Sequence, residues 1–174
     1  LINTRGTTIN YGIIVSTDSN INVIARNNIT TTGTDASNFG IYLFTRSTSN
    51  NLTNNVINTS GPATNYGINL DTSVNDTIIL NNTINSGGSA DSNVGIRIVT
   101  RSFRNNITHN RVLARGTSDN YGVDINSGNL THAEYNNITT NGTTTQNIGM
   151  IITTGGRNNI TNNERIFCCI ILRT

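Results

Sequence analysis

Asn65-Tyr66-Gly67-Ile68-Asn69-Leu70-Asp71-Thr72 decides the fold, because its pattern returns at a near-constant distance along the whole chain. Its opening triplet, Asn, then an aromatic or aliphatic residue, then Gly, recurs at Asn10-Tyr11-Gly12, Asn38-Phe39-Gly40, Asn93-Val94-Gly95, Asn120-Tyr121-Gly122 and Asn147-Ile148-Gly149. The steps between successive Asn are 28, 27, 28, 27 and 27 residues. Self-similarity at such a period marks a repeat architecture in which each unit buries its apolar side against the next.

Behind each Asn the odd positions form columns. The first is Tyr11, Phe39, Tyr66, Val94, Tyr121, Ile148, and the second is Ile13, Ile41, Ile68, Ile96, Val123, Met150. The third is Val15, Leu43, Leu70, Ile98, Ile125, Ile152, and the fourth is Thr17, Thr45, Thr72, Thr100, Ser127, Thr154. A period of two with β-branched and aromatic residues on one side predicts a half-buried strand, and all four columns read as its inward phase.

A second Asn column follows at Asn27, Asn55, Asn82, Asn110, Asn136 and Asn163. An inward residue precedes it by three (Ile24, Leu52, Ile79, Ile107, Ala133, Ile160), and another follows by two (Ile29, Ile57, Ile84, Val112, Ile138). Four residues later stands a Gly: Gly33, Gly61, Gly88, Gly116 and Gly142. Asn tolerates the left-handed backbone of a turn, and its amide can bond to the equivalent Asn one coil away. Gly serves where φ is positive or the backbone is crowded. The expectation is an all-β, single-stranded parallel β-helix (solenoid) of about six coils of 27–28 residues, with three short strands per coil. Residues 1–164 form the repeats, and Ile2, Gly6 and Asn10 read as the tail of a coil that continues a longer solenoid.

The pattern fails after Asn163, where Arg165 takes the next inward position and Ile166-Phe167-Cys168-Cys169-Ile170-Ile171-Leu172 has no counterpart upstream. Residues 165–174 therefore read either as a cap on the open end of the solenoid or as an end foreign to the repeat. The adjacent Cys168 and Cys169 are read as apolar fillers, since neighbours rarely reach disulfide geometry.

Bulk composition narrows the function. Hydrophobic residues make up 34% of the 174 and charged residues 11%, with a net charge of +2. The eleven basic residues are all Arg, scattered among nine carboxylates, which is not the clustered charge that nucleic acid demands. No membrane span is expected, because the longest apolar run is seven residues. Ten Asn-x-Ser/Thr acceptor sequences occur, a number that so much Asn and Thr produces unaided.

The spacing, with Asn106-Ile107-Thr108-His109-Asn110 and Asn159-Ile160-Thr161-Asn162-Asn163, resembles the parallel β-helix repeats of the pectin-lyase-like superfamily, above all those of bacterial and archaeal surface or periplasmic proteins. The resemblance implies a right-handed parallel β-helix, in accord with the crossover rule for parallel strands, and a secreted or cell-envelope location. The fold hosts lyases, hydrolases, adhesins and stalks, so function has to come from side chains. Enzymes of the superfamily resemble one another in using Asp clusters, with Ca²⁺ and a basic residue or with paired acids.

No such cluster is legible here. Asp18, Asp71, Asp76, Asp124 and Glu134 fall in different columns, and Asp71 and Asp124 come nearest, two coils apart. At about 4.8 Å per coil they would stand roughly 10 Å apart, too far for a retaining pair. Asp35, Asp91 and Asp119 precede anchor Asn residues and could stack around Ca²⁺, but solvated turn carboxylates closing local backbone bonds are the favoured account of them. His109 and His132 read as surface or turn residues. The outward positions of the anchor strand are richer: Tyr42, Phe44, Asp71, Arg97 and Asp124 should share one face, able to touch a polysaccharide or other glycan. Ordinary pairing of Arg97 with Asp124 one coil on is the plainer account of two of them. The leading expectation is a non-enzymatic extracellular or envelope module, a stalk or a carbohydrate-contacting surface, with no cofactor. The alternative is a fragment of a polysaccharide lyase or glycoside hydrolase whose catalytic residues are degenerate or lie elsewhere.

Overall fold

The computed structural model of the chain describes residues 1–35, 37–62, 64–89, 92–144, 146–164 and 170–172. Nineteen strands, numbered in chain order, lie in three parallel sheets, and no helix occurs among the described residues. Sheet 1 holds β2 (Asn10–Ser16), β5 (Asn38–Phe44), β8 (Asn65–Asp71), β11 (Asn93–Val99), β14 (Tyr121–Asn126), β17 (Ile148–Thr154) and β19 (Ile170–Leu172). Sheet 2 holds the short strands β3 (Val23–Ala25), β6 (Asn51–Thr53), β9 (Ile78–Leu80), β12 (Asn106–Thr108), β15 (His132–Glu134) and β18 (Asn159–Thr161). Sheet 3 holds β1 (Ile2–Gly6), β4 (Asn28–Gly33), β7 (Val56–Gly61), β10 (Thr83–Gly88), β13 (Arg111–Gly116) and β16 (Asn137–Gly142). Through the repeats each strand pairs with the equivalent strand one coil away, so the molecule is a β-solenoid of about six coils with three strands in each.

The aliphatic columns fill the interior. Ile41, Leu43, Ile68, Leu70, Ile96, Ile98, Val123 and Ile125 of sheet 1 meet Leu52, Ile79 and Ile107 of sheet 2 and Ile57, Ile84, Val112 and Ile138 of sheet 3, all within 1% of full burial. Identical positions stack directly on one another, as Ile41↔Ile68 and Ile57↔Ile84 do.

All three corners carry a polar ladder. Asn10, Asn38, Asn65, Asn93, Asn120 and Asn147 run between sheets 3 and 1, each donating its side-chain amide to the Oδ1 of the next at 2.7–3.1 Å. Asn27, Asn55, Asn82, Asn110, Asn136 and Asn163 do the same between sheets 2 and 3 at 2.9–3.1 Å. The corner between sheets 1 and 2, variable in sequence, has a ladder of mixed type. Asn22 donates to Asn50, and the Thr77 and Thr131 backbone amides donate to Asn105 Oδ1 and Asn158 Oδ1.

The left-handed residue at a corner is not the ladder Asn, as expected above, but the residue before it. Arg26, Asn54, Asn81, His109, Tyr135 and Asn162 have φ between 50° and 58°, and Ile21, Ser49, Asp76, Arg104, Leu130 and Arg157 between 54° and 60°. One such residue swings the chain from one sheet into the next and delivers the following Asn into the ladder.

Two of the four expected columns are also corrected. Thr17, Thr45, Thr72, Thr100 and Ser127 are not inward strand residues; with φ of 48–62° they form the turn that ends each sheet-1 strand. The Tyr11, Phe39, Tyr66 column lies on the outer side of sheet 1, because alternation slips at the following glycine. The pairing runs Tyr11↔Phe39 and then Ile13↔Ile41, passing over Gly12 and Gly40. Both the glycine and the aliphatic residue after it face inward: a Cβ on Gly67 would collide with Ile84 Cγ2 and stand 2.6 Å from the Gly95 carbonyl oxygen. Only a residue without a side chain fits there.

Arg165, Cys168, Cys169 and the start of the apolar run lie outside the described residues. The backbone of β19 pairs in parallel with β17, from Met150↔Ile170 to Ile152↔Leu172, adding a seventh strand to sheet 1.

Candidate functional site

Once past the glycine, β5, β8 and β11 alternate, as β14 does up to a register shift after Ile125, and this brings Tyr42, Phe44, Asp71, Arg97 and Asp124 onto one outer face as expected. The register aligns Tyr42↔Asn69↔Arg97↔Asp124 in one column and Phe44↔Asp71 in the next. Tyr42 donates its hydroxyl to Asp71 Oδ2 at 3.4 Å, and Arg97 Nε donates to Asp124 Oδ2 at 3.3 Å. Arg97 thus makes the plain cross-coil pair with Asp124. Asn69, between Tyr42 and Arg97, is 2% exposed, and its Oδ1 has no hydrogen-bond partner among the described residues.

The slip at the glycine adds side chains that sequence reading placed in the core. Tyr11, Phe39, Tyr42 and Phe44 form a pile: Tyr11 stacks on Phe39 and on Tyr42, Phe39 on Tyr42, and Tyr42 on Phe44, with centroids 4.9–5.6 Å apart and planes within 20°. Tyr66 meets Phe39 edge-on at 5.3 Å and lies under the Arg97 guanidinium, 5.1 Å from its ring centre. The signal that could have placed them is the glycine itself, since Gly inside a strand pattern marks a break in regular pairing.

The electrostatics follow from half-burial among charges. Burial, then the negative charge of Asp71, push the Tyr42 phenol up to about 12. The Tyr66 phenol is raised by burial, with Arg97 opposing and Asp124 and Asp71 adding to the rise. Burial also raises the Asp124 carboxyl, and the Arg97 charge offsets only part of this. Beside these groups Asp71, Arg97, Val99, Thr100, Arg101, Asn126 and Ser127 line an open depression of about 340 Å³. Two guanidinium groups, a carboxylate, hydroxyls and an amide thus converge next to an aromatic pile. Hydroxyl-rich ligands are recognised by such a combination of bidentate polar groups and ring surface.

The two carboxylates of this face do not stand side by side. Asp71 and Asp124 are two coils apart and two positions out of step, as the sequence indicated. Asp35 and Asp119 stand at turns and Asp91 lies outside the described residues. Among the described residues no three His, Cys, Asp or Glu side chains gather as a metal set would. His132, read from the sequence as a surface or turn residue, is 3.0 Å from Glu134 through Nε2 and Oε2.

Fold and site together define a parallel β-solenoid of about six coils with one decorated sheet face. No protein-family model, curated protein or solved structure matches this chain.

Proposed function

We propose that the chain is a non-enzymatic repeat module of a secreted or cell-envelope protein, akin to the pectin-lyase-like β-helices, that acts as a stiff stalk with a glycan-contacting face on sheet 1. The observation that carries this reading is the outer face of β5, β8 and β11, where an aromatic pile adjoins Asp71, Arg97 and Asp124. Stalk duty is supported by coils that differ by a residue or two, so that no long loop walls off a catalytic groove. The pile offers mainly ring edges and hydroxyls, because its inner ring faces cover one another; a glycan would meet it alongside the open depression around Arg97 and Arg101.

One observation favours a second reading, the lyase or hydrolase fragment: the raised carboxyl of Asp124 is a protonatable group beside a guanidinium. A single experiment separates the two. Acidic and neutral polysaccharides are screened for binding and for new reducing or unsaturated ends, with and without Ca²⁺, using the wild type and Arg97→Gln. Binding without turnover, weakened about tenfold in Arg97→Gln, is the expected outcome. New chain ends would replace the module with an enzyme, and absence of binding would leave a bare stalk.

A further inference from the structure

A second cluster lies away from sheet 1, where sheet 2 turns into sheet 3. The corner position before the ladder Asn is left-handed in every coil, and three coils fill it with Asn (Asn54, Asn81, Asn162), the side chain that tolerates this backbone best. Arg26 holds it in another, and two successive coils place rings there, His109 and Tyr135 at φ 56° and 54°. Their rings are 5.1 Å apart and tilted by 35°, and Tyr135 is 51% exposed. A ring held in the left-handed region costs free energy that Asn would not.

One residue back along the chain, β15 turns His132 and Glu134 outward. His132 Nε2 lies 3.0 Å from Glu134 Oε2, and Asn162 donates its amide to Glu134 Oε1 at 2.9 Å. These bonds orient the carboxylate and hold it below the usual glutamate range, with Asn162 the larger cause. The register sets Asn106 and Asn159 on either side of His132, and Thr108 and Thr161 on either side of Glu134. The outward columns of sheet 2 read Val23, Asn51, Ile78, Asn106, His132, Asn159 and Ala25, Thr53, Leu80, Thr108, Glu134, Thr161. They contain no Arg, and Glu134 is their one carboxylate.

We propose that Tyr135, His109, His132 and Glu134 form a binding site for a neutral oligosaccharide. The carboxylate, the imidazole and the flanking amides and threonine hydroxyls take sugar hydroxyls, and the open Tyr135 ring takes a C–H face of the sugar. An acidic sugar meets the Glu134 carboxylate here, and neither outward column of sheet 2 offers it a guanidinium. The site shares no residue with the face on sheet 1 and does not depend on the function proposed for it.

The test is a titration of the whole chain, followed by the imidazole resonances of His109 and His132, with chitotetraose, cellotetraose, mannotetraose and, as the acidic control, trigalacturonate. The variants are Tyr135→Asn, Glu134→Gln and Arg97→Gln. At least one neutral tetrasaccharide is expected to shift both histidines more than trigalacturonate does. Tyr135→Asn should weaken that binding tenfold or more while melting no lower than the wild type, because three other coils already carry Asn at this position. Glu134→Gln should weaken it, and Arg97→Gln, which alters only the sheet-1 face, should leave the histidine shifts unchanged. No shift with any neutral probe at millimolar concentration would overturn the proposal. So would binding by Tyr135→Asn within twofold of the wild type, loss of the histidine shifts in Arg97→Gln, or a lower melting point for Tyr135→Asn, which would make the ring a packing element.

Discussion

Asn82 concentrates at one residue what holds the coils together. Its side-chain amide reaches the Leu52 carbonyl at 2.8 Å, the Leu80 carbonyl at 3.1 Å and Asn110 Oδ1 at 3.0 Å. Its Oδ1 accepts from both the backbone and the side chain of Asn55. The residue is 1% exposed, so none of these groups can turn to water instead. Asn82→Asp keeps the shape and the acceptor but sets a second carboxylate oxygen against three oxygen atoms. A loss of roughly 3 kcal/mol or more at pH 7 is expected, from a buried charge facing unsatisfied acceptors. The loss should shrink near pH 4, where the protonated acid regains one donor; urea unfolding at both pH values measures it, and a pH-independent loss would deny the ladder its donor role. The repetition of Asn made the two pure ladders legible in the sequence. The left-handed backbone was assigned one residue too late, because the residues that hold it (Arg26, Asn54, Asn81, His109, Tyr135, Asn162) vary in type and leave no column to see.

At the level of the strand, sequence reading succeeded on one side of a glycine and failed on the other. Counting alternate positions after the glycine placed Tyr42, Phe44, Asp71, Arg97 and Asp124 correctly outward. Carrying the same count backward across Gly40 or Gly67 put Phe39 and Tyr66 in the core, since a period of two does not survive a residue that the pairing passes over. The aromatic pile was hidden for this reason, although each of its members was plain in the sequence. Its burial has a consequence in alkali. The Tyr42 phenol titrates higher in the folded chain than in the unfolded one, where a phenol ionises at about 10. The contribution of this group to stability is therefore complete below about pH 10 and is lost as pH rises through about 12. Urea midpoints between those limits should fall more steeply for the wild type than for Tyr42→Phe, and equal slopes would show that the phenol is as free as in the unfolded chain.

Across the whole molecule, coil number and repeat length were legible because a solenoid writes its geometry into a single period. The glycine column of sheet 3 was legible too, though its cause is crowding: at Gly33 a Cβ would stand 2.5 Å from Asn38 Oδ1 and 2.6 Å from the Asn10 amide nitrogen. The mixed ladder was not legible, since Thr77 and Thr131 enter it through the backbone and break the column of Asn. Pairing through the repeats joins only adjacent coils, so the fold is quasi-one-dimensional and its stability approximates a sum over neighbouring contacts.

That nearest-neighbour pairing sets how the protein bears load. Tension applied between the first and last coils falls on one row of hydrogen bonds at a time, as on a zip opened from its end, and never shears a whole sheet at once. Each row that yields frees a coil of 27 residues, or about 90 Å of slack at about 3.3 Å per residue. Stretched in an optical trap, the chain should lengthen in a sawtooth of that increment at modest force. A single rupture releasing all the slack together would mean that the coils fail as one body. Peeled coil by coil from either end, the solenoid would act under load as a force-limiting tether, paying out length before a load at its end is torn away.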